Sequence, residues 1–351
     1  MPTKQELDML CALPLDVKIA KSQQRIREWI DYWGEDGVYV SFSGGKDSTA
    51  LLHLVREVNP NIKAVFFNTG LELPQIQRFV RETENVDIIQ PTISFIDVIK
   101  QYGYPIFSKE ISDAIYFARR PECEKSSVSK YNQLIGQSFD KNGNKSKRTK
   151  ERWFPAYLEL PFNISGHCCT RLKKLPSKSY MRKYHRKPII GTMTEESSLR
   201  VSAYLKSGCN SFDGDYARSV PLSFWNESDI LQYISLNKIP YCDVYGEIVC
   251  ENDKYKCLGC QRTGCSYCGF GLGLVKNNNK FIELKKLAPK QYDFSLSGGE
   301  FVENPHYDPL LTDKNRWNPK QIWQPNKDGL GMAKIFDMVN DIYGKNFIIY
   351  Q

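Results

Sequence analysis

Ser43-Gly44-Gly45-Lys46-Asp47-Ser48 joins a strand to a helix, and that junction decides the fold. Ahead of it, Gly37-Val38-Tyr39-Val40-Ser41-Phe42 is β-branched and aromatic with no breaker after Gly37, the pattern of a buried strand. Behind it, Ser48-Thr49-Ala50-Leu51-Leu52-His53-Leu54-Val55 reads as a helix that starts at once. Two adjacent glycines let the backbone turn sharply and gather N–H groups around one point. The new helix adds its free N-terminal amides and the positive end of its dipole. Such a nest suits the oxygens of a polyphosphate. The spelling is neither Gly-x-x-x-x-Gly-Lys-Ser/Thr nor Gly-x-Gly-x-x-Gly, which excludes the Walker and dinucleotide loops at this position.

Outward from the loop, strand and helix patterns alternate. An amphipathic helix is expected over 16–35, with Val17, Ile19, Ile26, Trp29 and Ile30 apolar. Asn61 to Phe67 reads as a second strand ending in Asn68-Thr69-Gly70, and a helix starts at Pro74, where a missing N–H costs nothing. Val86 to Ile89 is a third strand, followed by helices near 95–102 and 108–120. Pro188-Ile189-Ile190-Gly191 is a further strand, with helices over 195–204, 226–236 and 331–343. The expected fold class is therefore α/β, a Rossmann-like parallel sheet with helices on both faces and ligands at the carboxyl ends of its strands. Residues 1–245 are read as the nucleotide-binding domain, with 121–151 a polar mobile insertion ending in the basic run 145–152. Residues 246–275 are read as a cysteine-rich knuckle and 276–351 as an irregular C-terminal extension.

The chain has 351 residues, 25% charged and 41% apolar, with a net charge of +8, compatible with an anionic substrate or a nucleic acid. No run of eighteen apolar residues occurs and the first fifteen residues lack a secretory core, so a cytoplasmic protein without a membrane partner is expected. In that setting eleven cysteines argue for metal or redox chemistry rather than disulfides. Cys168-Cys169 are vicinal, and Cys242, Cys250, Cys257, Cys260, Cys265 and Cys268 fall in one stretch. Cys257-x2-Cys260-x4-Cys265-x2-Cys268 has the spacing of a zinc knuckle, yet that reading leaves Cys168-Cys169 unexplained. The four histidines show no metal-ligand spacing; His167 adjoins Cys168.

Ser-Gly-Gly-Lys-Asp-Ser matches the PP-loop of the adenine nucleotide α-hydrolase superfamily. Asn68-Thr69-Gly70, Gly191 through Arg200, and the run from Pro221-Leu222 and Trp225 to Ile239-Pro240-Tyr241 add ordered landmarks. Together they resemble the phosphoadenosine phosphosulfate (PAPS) and adenosine phosphosulfate (APS) reductase family, over about residues 35–270. The resemblance implies an adenine nucleotide, ATP or an adenylyl sulfate, held by Ser43, Gly44, Gly45, Ser48, Asn68, Thr69, Gly70, Gly191 and Glu196. Lys46, Asp47 and Arg200 are the implied catalytic residues. Lys46 offers positive charge, Arg200 contacts sulfate or phosphate, and Asp47 caps the helix or positions a water or a magnesium ion. Met193 stands where the family usually has Arg, so one anion contact is missing.

Iron–sulfur members of that family hold a [4Fe–4S] cluster with a Cys-Cys pair and a later Cys-x-x-Cys. Cys168, Cys169, Cys265 and Cys268 are the matching ligands here, with zinc on a set including Cys257 or Cys260 as the alternative. The family's reductases use a cysteine near the C-terminus, whereas no cysteine follows Cys268 in this sequence. The expected function is therefore an ATP-cleaving PP-loop enzyme that releases pyrophosphate and transfers sulfur, a transferase for which a nucleic acid is a candidate acceptor and a sulfur-donor protein a candidate partner. The alternatives are an APS/PAPS reductase forming sulfite, and a nucleotide- or nucleic-acid-binding protein with a structural zinc knuckle and no turnover.

Overall fold

The apolar run before the glycine turn forms the strand β1 (Val38–Ser41), in which Val38, Tyr39 and Val40 are almost completely buried. Burial on both faces is what a parallel strand covered by helices requires. In the computed structural model, which describes residues 1–213, 217–275 and 280–351, five more strands join it. They are β2 (Ala64–Phe67), β3 (Val86–Ile89), β4 (Lys187–Ile190), β5 (Asn210–Ser211) and β6 (Arg218–Ser219), in spatial order β3-β2-β1-β4-β6-β5. β1 is parallel to β2 and, through Val38↔Lys187 to Ser41↔Ile190, to β4. Only the β5–β6 edge pair is antiparallel. The expected α/β sheet is present, and its connections run from β1 to one side through β2 and β3 and then to the other side through β4.

The chain divides into two compact units, each made of two segments. Unit 1 is Met1–Pro91 with Leu175–Gly264 and contains the whole six-stranded sheet; unit 2 is Thr92–Lys174 with Cys265–Gln351. They do not follow the three consecutive blocks read from the sequence, because the chain leaves unit 1 after β3 and returns before β4.

Helices in unit 1 lie close to expectation, at Leu15–Trp33, Lys46–Val58, Pro74–Glu82 and Glu227–Leu236. The helix expected from 195 is a 3-10 turn, Thr194–Glu196, followed by Ser198–Ser207, because the Ser197 hydroxyl caps the latter. A short helix, Lys4–Cys11, precedes them; its Thr3/Glu6 capping box was readable as Thr-x-x-Glu. Lys18, on the first long helix, is 1% exposed and donates to Asp229 Oδ2 at 2.6 Å. Beside this pair, Ser22 donates to Pro221 O and accepts from Trp225 Nε1, both at 2.9 Å.

Unit 2 corrects two expectations. Within 121–151, the polar stretch contains a helix, Glu124–Leu134, that buries Leu134, Ser127 and Gln133. Its core-facing positions are mostly polar, which hid the period. The stretch 276–325 was read as irregular; 276–279 lie outside the described residues, and the rest holds helices Lys280–Leu287 and Pro289–Leu296 and a hairpin pairing Glu300–Glu303 with Gln321–Gln324. These helices are two turns each and bury few side chains, chiefly Phe281, Leu284 and Tyr292, so their apolar pattern is sparse. The glycine- and cysteine-rich knuckle runs on into Gly269–Phe270, parallel to Ile106–Phe107, and a Cβ at Gly269 would meet Pro105 O at 2.6 Å. No helix among the described residues is long and apolar enough to cross a membrane.

Removing Lys18 leaves the Asp229 carboxylate buried without its cation. Lys18→Met is expected to lose about 3–5 kcal/mol in urea unfolding, and Lys18→Met/Asp229→Asn less. A single-variant loss under about 1 kcal/mol would mean that the pair behaves as a surface pair does.

Candidate active site

Gly44 adopts φ +72°, and a Cβ there would meet Val80 Cγ2 at 2.8 Å and Ile76 Cγ2 at 3.0 Å. A side chain is therefore barred twice, by conformation and by space. Gly45 is the N-cap of helix Lys46–Val58, and no side chain caps this terminus. The loop is instead pinned from within. Ser43 N–H donates to Ser48 Oγ at 3.1 Å, the two hydroxyls lie 3.0 Å apart, and Ser48 Oγ donates to Gly45 O at 2.9 Å. Gly191 lets the end of β4 approach, since a Cβ on it would stand 3.0 Å from Asp47 O. An uncapped helix start with a fixed glycine turn leaves backbone amides of the kind that can receive an anion.

A cleft of about 420 Å³ opens there. It lies at the carboxyl ends of β1 and β4, where the connections reverse direction across the sheet, the usual place for a ligand in an open α/β fold. Ser43, Gly45, Lys46, Asp47 and Ser48 form one wall, and Gly191, Thr192, Met193, Glu196 and Arg200 form the wall beyond β4. The rest is made by Glu195, Glu227, Tyr245 and the stretch Gln261-Arg262-Thr263-Gly264. Asn68-Thr69-Gly70 also follows a strand of the sheet but is not among the lining residues. It forms its own turn, with Gly70 N–H donating to Asn68 Oδ1 at 2.9 Å and Thr69 Oγ1 to Glu72 Oε1 at 2.7 Å.

The charges are arranged around Lys46. This lysine, 6% exposed, does not face solvent: its ammonium pairs with Glu227, donates to Gln261 O at 2.6 Å and lies 5.6 Å from the centre of the Tyr245 ring. Arg200 pairs with Glu196, whose Oε1 also accepts from Met193 N–H at 3.0 Å. Burial lowers the Arg200 pKa, and the charge of nearby Arg262 lowers it further. Asp47 does not cap the helix. Its Oδ1 is buried with no hydrogen-bond partner among the described residues, and burial raises its pKa against the opposing pull of Lys46. Three cationic side chains, Lys46, Arg200 and Arg262, and the Asp47 carboxylate thus line one cleft.

The cysteine set expected to hold metal lies in unit 2. Cys168 and Cys169 share a hydrogen bond that raises the Cys168 pKa and lowers that of Cys169. The sulfur charges of Cys268 and Cys265 raise Cys168 further, while Lys109, Lys173 and Lys174 help to lower Cys169. Four soft thiols bearing on one another, flanked by lysines, are a donor set that fits an iron–sulfur cluster chemically. Among the described residues no three or more ligands are already drawn together at metal-binding geometry. Cys257 and Cys260 belong to unit 1, where the charged neighbours of Cys257 are Lys46, Glu227 and Asp47. Neither unit by itself contains all four thiols of the zinc-knuckle spacing. His167 stacks on Tyr102 at 4.8 Å, and burial lowers its pKa.

Sequence reasoning missed Glu195, Glu227, Tyr245, Gln261, Arg262 and Thr263. Glu227 carried a legible signal, as an acid in the first turn of a helix that starts at an Asn cap. Tyr245 ends a single 3-10 turn, Asp243–Tyr245, and 261–263 lie in a loop, where no periodicity marks the side that faces a ligand.

The raised Asp47 pKa means that the folded state holds its proton longer than the unfolded chain does. Stability from this group is present below the ordinary aspartate value of 3.8 and declines as pH rises through the folded pKa. Asp47→Asn is expected to flatten that part of a urea-midpoint against pH curve. A variant curve that still falls in parallel with the wild type would contradict the assignment.

The family model described as the phosphoadenosine phosphosulfate reductase domain matches residues 37–114 and 118–268. An uncharacterized protein of Methanocaldococcus jannaschii is 25% identical over 262 residues, covering 73% of this chain and 46% of that protein. An uncharacterized nin-region protein of Escherichia phage lambda is 39% identical over 69 residues, covering 19% of this chain and 24% of that protein. The chain thus spans less than half the length of these curated relatives. Among solved structures, the PAPS reductase of Candida auris in its phosphate complex is 13% identical, covers 69% of this chain and 91% of its own, and has a TM-score of 0.37. The FMN adenylyltransferase of Candida glabrata in complex with ATP is 12% identical, with 95% and 86% covered and a TM-score of 0.35. Scores this low carry no inference about the site. The family model spans roughly two thirds of the sequence, and the chain belongs to the phosphoadenosine phosphosulfate reductase domain family.

Proposed function

We propose that the cleft of unit 1 binds ATP, and that the enzyme breaks the bond between its α- and β-phosphates to activate an acceptor for sulfur transfer. The observation that carries this reading is the uncapped start of helix Lys46–Val58, opening into a cleft at the reversal point of the sheet. Loop amides and the Ser43 and Ser48 hydroxyls would hold the phosphate oxygens. Lys46 would exchange Glu227 for a phosphate oxygen, and Arg200 and Arg262 would flank it. An acceptor oxygen then attacks the α-phosphorus and the bond to the bridging oxygen breaks. Pyrophosphate departs with its negative charge met by loop amides that need no rearrangement and by Lys46 once it has left Glu227. Asp47, whose buried Oδ1 has no hydrogen-bond partner among the described residues, is the residue that would hold a magnesium ion on the phosphates.

Met193 favours ATP over a sulfonucleotide. It is 3% exposed and lines the cleft as an apolar wall where the family's reductases carry a cation. Cys168, Cys169, Cys265 and Cys268 would hold the cluster, which when bound supplies a site for sulfur and electrons. The nearby Lys109, Lys173 and Lys174 would offset its negative charge.

Purified anaerobically and given ATP and magnesium, the protein is expected to form AMP and pyrophosphate rather than ADP and phosphate. Lys46→Ala is expected to lower that rate about 100-fold. Sulfite formed from APS or PAPS with a thiol donor, with no pyrophosphate from ATP, would instead establish the reductase reading.

Metal content supplies a second test. Brown protein with about four irons and matching sulfide per chain is expected, lost in Cys169→Ala and Cys265→Ala but kept in Cys257→Ala. Colourless protein with one zinc, lost in Cys257→Ala, would establish the zinc-knuckle reading.

A further inference from the structure

Unit 1 holds a second cavity, about 840 Å³, that shares no lining residue with the nucleotide cleft. Its size suits a small molecule. Helix Leu15–Trp33 supplies one wall through Lys21, Arg25 and Glu28, spaced so that they share a face. Helix Lys4–Cys11 and the turn after it supply another through Met9, Leu10 and Leu13. Tyr204, Cys209 and Phe224 line it from within the core, all three buried, and so form its floor. Phe212 lines it too, its ring fixed against Tyr32 at 4.7 Å and Trp29 at 5.2 Å.

The polar groups of this cavity define its guest. Tyr204 is 6% exposed, yet its hydroxyl has no hydrogen-bond partner among the described residues. A buried hydroxyl left over in this way costs free energy until a ligand accepts from it. The two acids of the lining are engaged within their own helices. Glu28 accepts from Arg25 Nη1 at 2.8 Å and from Gln24 Nε2 at 3.1 Å, and Glu6 accepts from Thr3 N–H at 2.7 Å. Lys21 and Lys206, both exposed at the cavity, make no ion pair with a described residue. An apolar bed, an unused hydroxyl and two uncommitted ammonium groups match an apolar molecule with an anionic head. The carbonyl end of helix Ser198–Ser207 reaches the same cavity at Ser207 and Gly208 and opposes a polyphosphate, so a single charge fits best.

We propose that this cavity binds a small amphipathic monoanion, an apolar body bearing one carboxylate or sulfonate, and that its occupant tunes nucleotide binding in the cleft. Tyr204 lies one turn after Arg200 on helix Ser198–Ser207, and Arg200 lines the cleft. Phe224 follows Ser223, whose carbonyl accepts from Thr194 N–H at 2.9 Å and from Thr194 Oγ1 at 2.8 Å. Glu195 and Glu196, next in the chain, also line the cleft. A molecule seated on Tyr204 and Phe224 therefore bears on both elements that build the wall beyond β4. The coupling rests on the ATP reading, whereas the site stands without it.

The test is fluorescence titration of the full chain, without nucleotide, with anilinonaphthalene sulfonate (ANS) and with its uncharged relative phenylnaphthylamine. Saturable binding of a single ANS per chain is expected. Tyr204→Phe is expected to weaken it about tenfold, and Lys21→Gln/Lys206→Gln about fivefold. Phenylnaphthylamine is expected to bind both variants as it binds the wild type. Lys238→Gln/Lys254→Gln, which removes two exposed lysines elsewhere in unit 1, is expected to leave ANS affinity unchanged. Equal losses in the two lysine pairs, or no loss in Tyr204→Phe, would overturn the placement. Complete competitive displacement of ANS by ATP would put the probe in the nucleotide cleft and overturn it likewise. A dimer in sedimentation that ANS dissolves would assign the cavity to a second copy of the chain instead. Saturating ANS is expected to shift the Kd for ATP about fivefold, and ATP to shift that for ANS by the same factor. A Kd for ATP that does not move would overturn the coupling. ANS binding as described in a chain that never binds ATP would overturn the ATP reading and the coupling but not the site.

Discussion

The candidate site depends on one backbone conformation. Gly44 occupies a left-handed position with the Val80 and Ile76 side chains pressed against it, and only a residue without Cβ fits both conditions. That turn carries the chain from the buried end of β1 directly into helix Lys46–Val58 with no side chain closing the terminus. A helix start left open in this way has amides seeking an acceptor, and a phosphate is the acceptor with oxygens enough to satisfy several together. The parallel sheet puts this terminus beside the end of β4, so the second wall of the cleft comes from a strand remote in sequence.

The electrostatics follow from that placement. Burying Lys46 costs desolvation, which Glu227 and the Gln261 carbonyl offset. Burying Asp47 is only partly offset by the charges of Lys46, Arg262 and Arg200, and its raised pKa is the physical trace of that. On the proposed reading, a phosphate would replace the partners of these cations and a metal ion would meet the unbonded Asp47 Oδ1. The thiols of unit 2 present the complementary chemistry, soft donors with lysines to balance their charge.

How far the sequence disclosed this varied with the kind of signal. Val38 to Ser41 and Val86 to Ile89 were legible as short β-branched runs, and the helix from Pro74 by its period and its proline start. The glycine turn was legible because the residues themselves prescribe the backbone. Helix Glu124–Leu134 was not, since Ser127 and Gln133 occupy buried positions that a hydrophobic pattern would have filled with apolar residues. Nor was the interleaving of the two units, which arises from contacts between segments about a hundred residues apart. In the cleft, the residues on the strand-to-helix turns were readable, whereas Tyr245 reaches it from a single 3-10 turn and Arg262 from a loop, whose paths only the folded chain defines. Asn68-Thr69-Gly70 shows the converse, a motif in the expected place that spends its hydrogen bonds on its own turn.

Hydrogen exchange of the backbone amides at 44–49, with and without ATP and magnesium, addresses the central claim most directly. The account requires these amides to slow markedly when nucleotide is added, because phosphate oxygens become their acceptors. Unchanged exchange across 44–49, with protection arising elsewhere in the chain, would contradict it.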